Sequence, residues 1–163
     1  MNNLCIVIPA YNEEKRIGKT LEVYTSFFDK LTNKNFNYTL LIVINNTKDR
    51  TEEIVKSFAK KNKRIKYINL VQGGKGNAIT AGFKLALKGN YSLIGFVDAD
   101  IATSPEQFYR LVNGIERYDV SIANRYDTNS KIIPAYSFRR LVVSRMFNFI
   151  VRVLFFLPYH DTQ

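Results

Sequence analysis

The fold is decided by the stretch LIGFVDAD, residues 93–100. Its first five residues form a short, continuous apolar run, which is typical of a strand buried on both faces of a parallel sheet. Two carboxylates one residue apart, Asp98 and Asp100, follow this run directly. In open α/β folds, ligands bind at the rim of the sheet where such strands end. The stretch therefore predicts an α/β protein with a ligand site after residue 97.

Asp98 and Asp100 also indicate a metal. Mg²⁺ binds through one or two carboxylates together with substrate phosphates, and Mn²⁺ prefers the same oxygen ligands. We therefore expect one of these two cations and a diphosphate at this site. The simpler alternative, and the better one for an isolated pair of this kind, is that the two residues cap the helix after Pro105 or lie in a solvated turn.

The composition excludes several classes of protein. Hydrophobic residues make up 46% of the 163 residues, which excludes a disordered chain and suits one sizeable core. The chain has a single cysteine, Cys5, and a single histidine, His160, so we expect neither a disulfide scaffold nor a Cys/His metal cluster, and favour a reducing compartment. We also expect no secretory signal peptide and no membrane-spanning helix, which needs about 18 apolar residues.

The net charge of +10 is large for this size and points to an anionic partner. Nucleic acid, an anionic membrane and phosphorylated substrates are the candidates. Nucleic acid is not expected as a partner, because no motif for its recognition accompanies the charge. The basic residues between 139 and 152 alternate with large apolar ones, whereas those between 56 and 66 suit a solvated helix end and turn.

Strands and helices alternate along the chain. Further strands are predicted at residues 4–8, where Pro9 stops the strand, and at residues 38–44, 65–71 and 120–123. Helices are predicted at residues 13–29, after residue 49 to residue 58, from the stretch 72–78 to about residue 87, from residue 104 onward, and at 136–157. The last helix carries arginines too often for a membrane span. It suits either a membrane interface or a core-covering position with its arginines in solvent.

The turns after the first two predicted strands have more than one interpretation. PAYNEE, residues 9–14, forms either a wall of a nucleotide pocket or the start of a helix with Asn12 as the N-cap and glutamates in the first turn. Asn45 offers amide donors and acceptors that can read the edge of a base, whereas Asn46 suits a turn. For Asp49 we favour a helix N-cap.

Two further stretches suit phosphate. QGGKGNA, residues 72–78, combines glycines that allow close backbone approach with a helix N-terminus and the charge of Lys75. Its spacing matches neither the phosphate loop of nucleotide triphosphatases nor the dinucleotide fingerprint, which disfavours a Rossmann dehydrogenase. The alternative is a plain turn with a solvated lysine. Arg125 follows the last predicted strand and can pair with a phosphate or with a carboxylate near the rim.

Several motifs in this order resemble the inverting family 2 glycosyltransferases: PAYNE at residue 9, the polar turn at Asn45, GKG at residue 74, DAD at residue 98 and NRY at residue 124. The resemblance covers essentially the whole chain and implies the GT-A-like fold, with three layers, α/β/α, and a mainly parallel central sheet. Residues 1–135 would bind a nucleotide sugar, and residues 136–163 would form a basic amphipathic helical segment.

The resemblance also assigns roles to individual residues. The nucleotide site would be lined by Pro9, Ala10, Tyr11, Glu13 and Asn45, with Lys75 near the phosphates, Asp98 near the ribose or metal, and Asp100 on the metal. Arg125, Arg139 and Arg140 would bind the lipid phosphate or the diphosphate, and Asp161 would lie near the acceptor. The residues implied to be catalytic are Asp100, Asp161 and Arg125. The family usually has aspartate where this chain has Asn45 and Asn46, but an amide can still bond the imide of uracil.

Within the family, GKGNA at residue 74, DADIAT at residue 98 and the terminal DTQ look most like the dolichyl-phosphate glucosyltransferase branch, with the dolichyl-phosphate mannose synthases as close relatives. The implied reaction is a metal-dependent transfer of a hexose, with inversion, from UDP-glucose to a polyprenyl phosphate. The protein would lie on the cytoplasmic face of an anionic membrane. The alternatives are a relative that uses GDP-mannose and a catalytically idle nucleotide-sugar-binding module. The sequence indicates no oligomeric state.

Overall fold

The computed structural model describes residues 2–32, 36–115, 118–124 and 138–156. These residues contain, in chain order, β1 (Asn2–Ala10), α1 (Ile17–Leu31), β2 (Phe36–Asn45), α2 (Thr51–Lys61), β3 (Ile65–Leu70), α3 (Lys75–Leu87), β4 (Leu93–Phe96), α4 (Pro105–Gly114) and α5 (Phe138–Phe155). The chain divides into two compact units, Met1–Asn113 and Gly114–Gln163, each described by itself. The predicted boundary after residue 135 lies outside the described residues and stays a prediction.

The four strands form one parallel sheet with the order β3-β2-β1-β4. The chain moves outward from β1 through β2 to β3 and then returns to the other side of β1 with β4. The strand order therefore reverses between β1 and β4. In open α/β sheets, ligands bind at the carboxyl ends of the strands beside such a reversal. The parallel sheet with its helices confirms the predicted fold class.

Helices cover both faces of the central strands. Leu4, Ile6 and Ile8 of β1 belong to a buried cluster with side chains of α1, α2 and α4. Cys5 and Val7 point to the other face, where they join a cluster with α3. Because both faces are buried, β1 and β2 have continuous apolar sequences, and each fully buried Leu or Ile contributes about 1.5–3 kcal/mol. The three layers agree with the predicted architecture.

β1 runs one residue past Pro9, although the sequence predicts that this proline stops it. The carbonyl oxygen of Val7 accepts a hydrogen bond from the N–H group of Val97, on the β4 side. Backbone groups alternate sides along a strand, so Pro9 also faces the β4 side, and β1–β4 pairing ends at Val7. The N–H group that proline lacks is therefore not needed for a ladder hydrogen bond.

Two strand predictions need correction. β4 is a strand, but it is not buried on both faces as predicted: within the described residues it pairs with β1 alone, and Phe96 is 46% exposed. Residues 120–123 have no regular secondary structure, and Val120 is 73% exposed. Apolar and β-branched residues form a strand where a neighbouring strand and a core receive them, and the exposed side chains of Val120 and Ile122 show no such burial.

α5 confirms the helix predicted from residue 136 and has an unusual surface. Ser144 and Asn148 share one face of the helix and are buried, whereas Val143, Phe149 and Phe155 are more than 60% exposed. This is the reverse of a helix that covers a core with its apolar face. Across the described ranges, the structure contains no helix that is long and apolar enough to cross a membrane.

Candidate functional site

The predicted site residues of the first unit lie at or just beyond the carboxyl ends of the strands, at one edge of the sheet, because the carboxyl ends of parallel strands all point the same way. They are Pro9, Ala10, Tyr11 and Glu13 after or at the end of β1, Asn45 at the end of β2, Lys75 at the start of α3, and Asp98 and Asp100 after β4. Arg125 and Asp161 lie outside the described residues. Arg139 is exposed on α5 in the other unit, and the structure does not describe the side chain of Arg140.

Lys75 and Asp98 form an ion pair with 2.7 Å between Nζ and Oδ1. Lys75 is the first residue of α3, and Gly74 before it has a φ of 120°, which only glycine adopts without strain. Gly74 has no side chain to cap the helix, so the first N–H groups of α3 remain available to an anion. The turn therefore brings a positive charge and free backbone donors beside a carboxylate.

Asp98 is accessible and weakly held. Its Oδ1 atom is buried, and its contact with Lys75 lacks the angles of a hydrogen bond, so the interaction is an ion pair by distance alone. The side chains of Asp98 and Lys75 are 44% and 61% exposed. Ion pairs at such exposure contribute about 0–1 kcal/mol. Both charged groups can therefore rearrange around a ligand at small cost.

Asp100 lies in an exposed turn, where its Oδ1 atom accepts the N–H group of Ala102 at 2.9 Å. The helix-capping alternative for the two aspartates is wrong, since Ser104 and Gln107 cap α4. The Ser104 N–H group donates to Gln107 Oε1, and the Gln107 N–H group donates to Ser104 Oγ. The alternative of a solvated turn does describe Asp100, whose carboxylate remains open to solvent.

Ile101 has a φ of 61°, in the left-handed region that β-branched residues rarely adopt. A backbone of this kind costs about 1–3 kcal/mol and persists where its surroundings hold it. Two hydroxyl groups of α1 supply such contacts. Thr20 Oγ1 donates to the carbonyl oxygen of Ala99 at 2.6 Å, and Tyr24 Oη donates to that of Thr103 at 2.7 Å.

Sequence reasoning missed Thr20 and Tyr24 as contributors to the site. Tyr24 appears in the sequence as one more residue of the apolar face of α1, and the partner of its hydroxyl lies far along the chain. Burial, together with the negative charges of Glu106 and Asp100, raises the pKa of Tyr24. Its hydroxyl therefore keeps its proton at neutral pH and remains a donor.

The loops after β1 and β2 are joined by hydrogen bonds. The N–H group of Glu13 donates to Thr51 Oγ1 at 2.7 Å, and that of Glu14 donates to Asp49 Oδ2 at 3.0 Å. These bonds hold both glutamates outside the helix, so α1 begins at Ile17 instead of residue 13. Asn12 is not its N-cap. The Asn12 side chain instead accepts the backbone N–H group of the second loop at residue 48.

Asp49 lies one residue before the N-cap of α2, which is Arg50, and accepts the N–H group of Thr51 at 3.0 Å. The predicted capping role is thus shifted by one residue and combined with the link to the first loop. Burial alone would raise the pKa of Asp49. Hydrogen bonds from the hydroxyls of Thr51 and Thr47 and from backbone N–H groups outweigh that effect and lower the pKa well below its usual range.

Asn45 has a polar atom without a partner. The side chain is 4% exposed, and its Oδ1 atom accepts no hydrogen bond from the residues that the structure describes. An unpaired buried acceptor costs about 1–3 kcal/mol, so the site favours a ligand that donates to this oxygen. Next to it in the chain, Asn46 has a φ of 52°, as suits the turn residue that the sequence allows.

The other residues predicted at the nucleotide site differ in what they can offer. Pro9 and Ala10 are buried, so they present backbone, whereas the ring of Tyr11 is 53% exposed. The carboxylate of Glu13 accepts two hydrogen bonds from the guanidinium group of Arg16, at 2.6 and 2.8 Å. Glu13 therefore contributes to the site mainly through the position of its loop.

The residues that could hold a metal are Asp98 and Asp100. Within the described ranges there is no group of three or more His, Cys, Asp or Glu that could bind an ion without help. Two carboxylates, one with a buried oxygen lacking a hydrogen bond, nevertheless fit a divalent cation whose remaining ligands are phosphate oxygens and water.

Comparison with known proteins gives a consistent result. A family model described as "Glycosyl transferase family 2" matches residues 5–161. The chain is 31% identical to the dolichyl-phosphate beta-glucosyltransferase of Dictyostelium discoideum, over 98% of the chain and 51% of that protein. The identity with the human protein of the same name is 27%, over 98% of the chain and 52% of the relative. The chain therefore spans about half the length of these curated relatives.

A similar fold is found in the crystal structure of S. aureus TarS 1-349 in complex with UDP. The TM-score is 0.53 with 23% sequence identity, and the match covers 71% of this chain and 32% of the TarS chain. At this identity the likeness is one of fold.

Proposed function

The chain belongs to glycosyltransferase family 2, and on this premise we propose that it binds a nucleotide diphosphate sugar, with UDP-glucose favoured, for hexose transfer to dolichyl or another polyprenyl phosphate. The observation that carries the proposal is the ion pair of Lys75 with Asp98 at the carboxyl edge of the sheet. A lysine ammonium group, which suits a phosphate, thus lies next to a carboxylate. The names of the relatives and the UDP complex of TarS support this choice of donor and acceptor.

Asn45 would recognise the base. Its buried Oδ1 atom lacks a donor, and the imide N–H group of uracil is one. Guanine presents N–H donors as well, so this contact alone does not exclude GDP-mannose. The exposed ring of Tyr11 and the backbone of Pro9 and Ala10 would form the adjoining wall of the pocket.

Lys75 would bind the diphosphate together with the N–H groups at the start of α3. A divalent cation, Mg²⁺ or Mn²⁺, bound by Asp98 and Asp100 would help to neutralise the negative charge of the departing nucleotide diphosphate. Lys75 stabilises the same charge from the side of α3, because a positioned ammonium group favours developing anions.

The transfer would be a single displacement with inversion. An oxygen of the acceptor phosphate forms a bond to the anomeric carbon while the bond from that carbon to the nucleotide diphosphate breaks. The acceptor is already an anion near neutral pH, so it needs little help from a general base. From the resemblance, Arg125, Arg139 and Arg140 would bind the lipid phosphate or the diphosphate, and Asp161 would lie near the acceptor.

α5 would rest on the cytoplasmic face of an anionic membrane, as a peripheral contact. Its exposed apolar residues include Phe149 and Phe155, and Arg139 and Arg145 are exposed on the same helix. Exposed aromatic and aliphatic side chains combined with arginine suit the headgroup region of a membrane. This position would bring a lipid-linked acceptor to the protein.

Calorimetric titration tests the donor site. The protein is titrated with UDP-glucose and with GDP-mannose, each in Mn²⁺ and in EDTA, beside Asp100→Asn. We expect Mn²⁺-dependent binding of UDP-glucose that Asp100→Asn weakens at least tenfold, roughly the effect of one charged interaction. A preference for GDP-mannose would change the donor, and no binding of either sugar nucleotide would refute the proposed site.

Transfer itself needs a second assay, because an idle binding module would pass the first. The readout is labelled glucose in dolichyl phosphate, measured for the protein with Asp100→Asn as the control. Donor binding without labelled lipid would support the idle module instead.

A further inference from the structure

The loop between β4 and α4 is held by two hydroxyl groups of α1. Thr20 donates to the carbonyl oxygen of Ala99, and Tyr24 donates to that of Thr103. The two donors are four residues apart, so they lie on the same face of the helix. Their acceptors lie on either side of Ile101 in the chain. The backbone is therefore held by a hydrogen bond on each side of the strained residue.

Ile101 connects these contacts to the site. Its φ of 61° is disfavoured for a β-branched residue, so a loop without anchors would relax towards an ordinary backbone conformation. Asp100 directly precedes Ile101, and its carboxylate accepts the N–H group of Ala102 within the same turn. Relaxation at Ile101 would therefore redirect the carboxylate of Asp100.

We infer that Thr20 and Tyr24 are positioning residues that hold the loop of Asp98 and Asp100 in its strained conformation. Both are 0% exposed, so they act through backbone carbonyl groups rather than on a ligand. The consequence for ligand binding rests on the proposed function. The consequence for the order of the loop does not depend on it.

The test removes one hydroxyl group at a time and preserves side-chain shape. Thr20→Val and Tyr24→Phe each remove an anchor, and Thr20→Ser keeps the donor. Thr25→Val is the control for Thr20, because the Thr25 hydroxyl donates to carbonyl groups of its own helix. Tyr38→Phe is the control for Tyr24, because the Tyr38 hydroxyl donates to Asp29.

Two measurements are made on every variant: hydrogen exchange of the amides in residues 98–104, and calorimetric affinity for UDP in Mn²⁺. For Thr20→Val and Tyr24→Phe we expect exchange about tenfold faster and affinity about tenfold weaker than in their controls, as the loss of one buried hydrogen bond implies. Thr20→Ser should restore both values to within about threefold of the original protein.

The two readouts separate this inference from the proposed function. Exchange and affinity that match the controls would overturn the inference, as would Thr20→Ser behaving like Thr20→Val. If the original protein binds no UDP but the anchor variants still accelerate exchange of the loop, the proposed function fails and the positioning role is supported. Slow exchange in every variant would overturn the positioning role whatever the protein binds.

Discussion

The ammonium group of Lys75 lies 2.7 Å from Oδ1 of Asp98; Lys75 begins α3, after β3, and Asp98 follows β4. Their proximity follows from topology. The strand order places β4 on one side of β1, and α3 packs across the face of β1 and β2, so the start of α3 reaches the reversal point of the sheet. The weak ion pair of Lys75 and Asp98 thus lies where open α/β sheets bind ligands, at the carboxyl ends of the strands beside the reversal of strand order.

Replacing Lys75 should weaken UDP binding and leave the free energy of unfolding almost unchanged. Lys75→Met keeps most of the aliphatic chain and removes the charge, so we expect affinity for UDP in Mn²⁺ to fall about 10- to 100-fold, equivalent to about 1.5–3 kcal/mol for a charged hydrogen bond. The free energy of unfolding should change by less than about 1 kcal/mol, because the ion pair is exposed. Calorimetry and chemical denaturation measure the two quantities.

Lys84→Met is the matched control for Lys75→Met, since Lys84 is an exposed lysine near the other end of α3. It should leave both quantities unchanged. Equal affinities of the two variants for UDP would remove Lys75 from the phosphate site.

Asn45 should show opposite effects on stability and on binding. Asn45→Leu removes a buried oxygen that has no donor, so we expect the free energy of unfolding to rise by about 1–3 kcal/mol. The same change removes the proposed acceptor for the base and should weaken UDP binding about tenfold. Thermal denaturation and calorimetry provide the readouts.

Asn45→Asp is the companion variant to Asn45→Leu. It keeps an acceptor and buries a charge, so UDP binding should persist while stability falls. If Asn45→Leu instead destabilised the protein and left UDP binding intact, Asn45 would be a structural residue.

The residues of this candidate site were largely predictable from the sequence, but the hydrogen bonds that hold its loops were not. Lys75, Asn45, Asp98 and Asp100 are identifiable because polar residues at the ends of apolar runs must meet at one edge of a parallel sheet. The exposure of Phe96 was not predictable, since an edge strand and a central strand can share the same apolar pattern.

The limits of the helix at residue 13 and the role of Tyr24 depend on distant partners. The start of α1 depends on Thr51 and Asp49, whose side chains accept hydrogen bonds from the N–H groups of Glu13 and Glu14. Helix propensities of neighbouring residues do not predict these bonds. In the same way, the hydroxyl of Tyr24 bonds a residue on another loop, while helical spacing reports only that its ring is buried.

Asp49 should make the free energy of unfolding depend on pH under acidic conditions. Its pKa is lower in the folded protein than in the unfolded chain, so its contribution is complete above the unfolded value of about 3.9 and is lost as pH falls below it. Asp49→Asn should therefore lower the free energy of unfolding by about 1–3 kcal/mol at pH 7 and by clearly less at pH near 3. Urea denaturation across this pH range measures the difference.

The control for Asp49 is Glu53→Gln, which changes an exposed acid on the adjoining helix. Its effect should be small at both pH values. A constant difference between the original protein and Asp49→Asn down to pH 3 would show that the low pKa is not what stabilises the two loops.

The exposed apolar face of α5 gives a prediction for membranes. Phe149→Ser and Phe155→Ser should each reduce binding of the protein to vesicles of phosphatidylcholine with roughly one-third phosphatidylserine. The expected reduction is about tenfold, for the loss of one large side chain buried in the membrane.

Val120→Ser is the control, because Val120 is 73% exposed in the same unit but lies outside α5. Co-sedimentation at low and high salt measures binding, and the arginines of α5 predict weaker binding at high salt. Equal binding of all three variants would assign the exposed face of α5 to something other than a membrane.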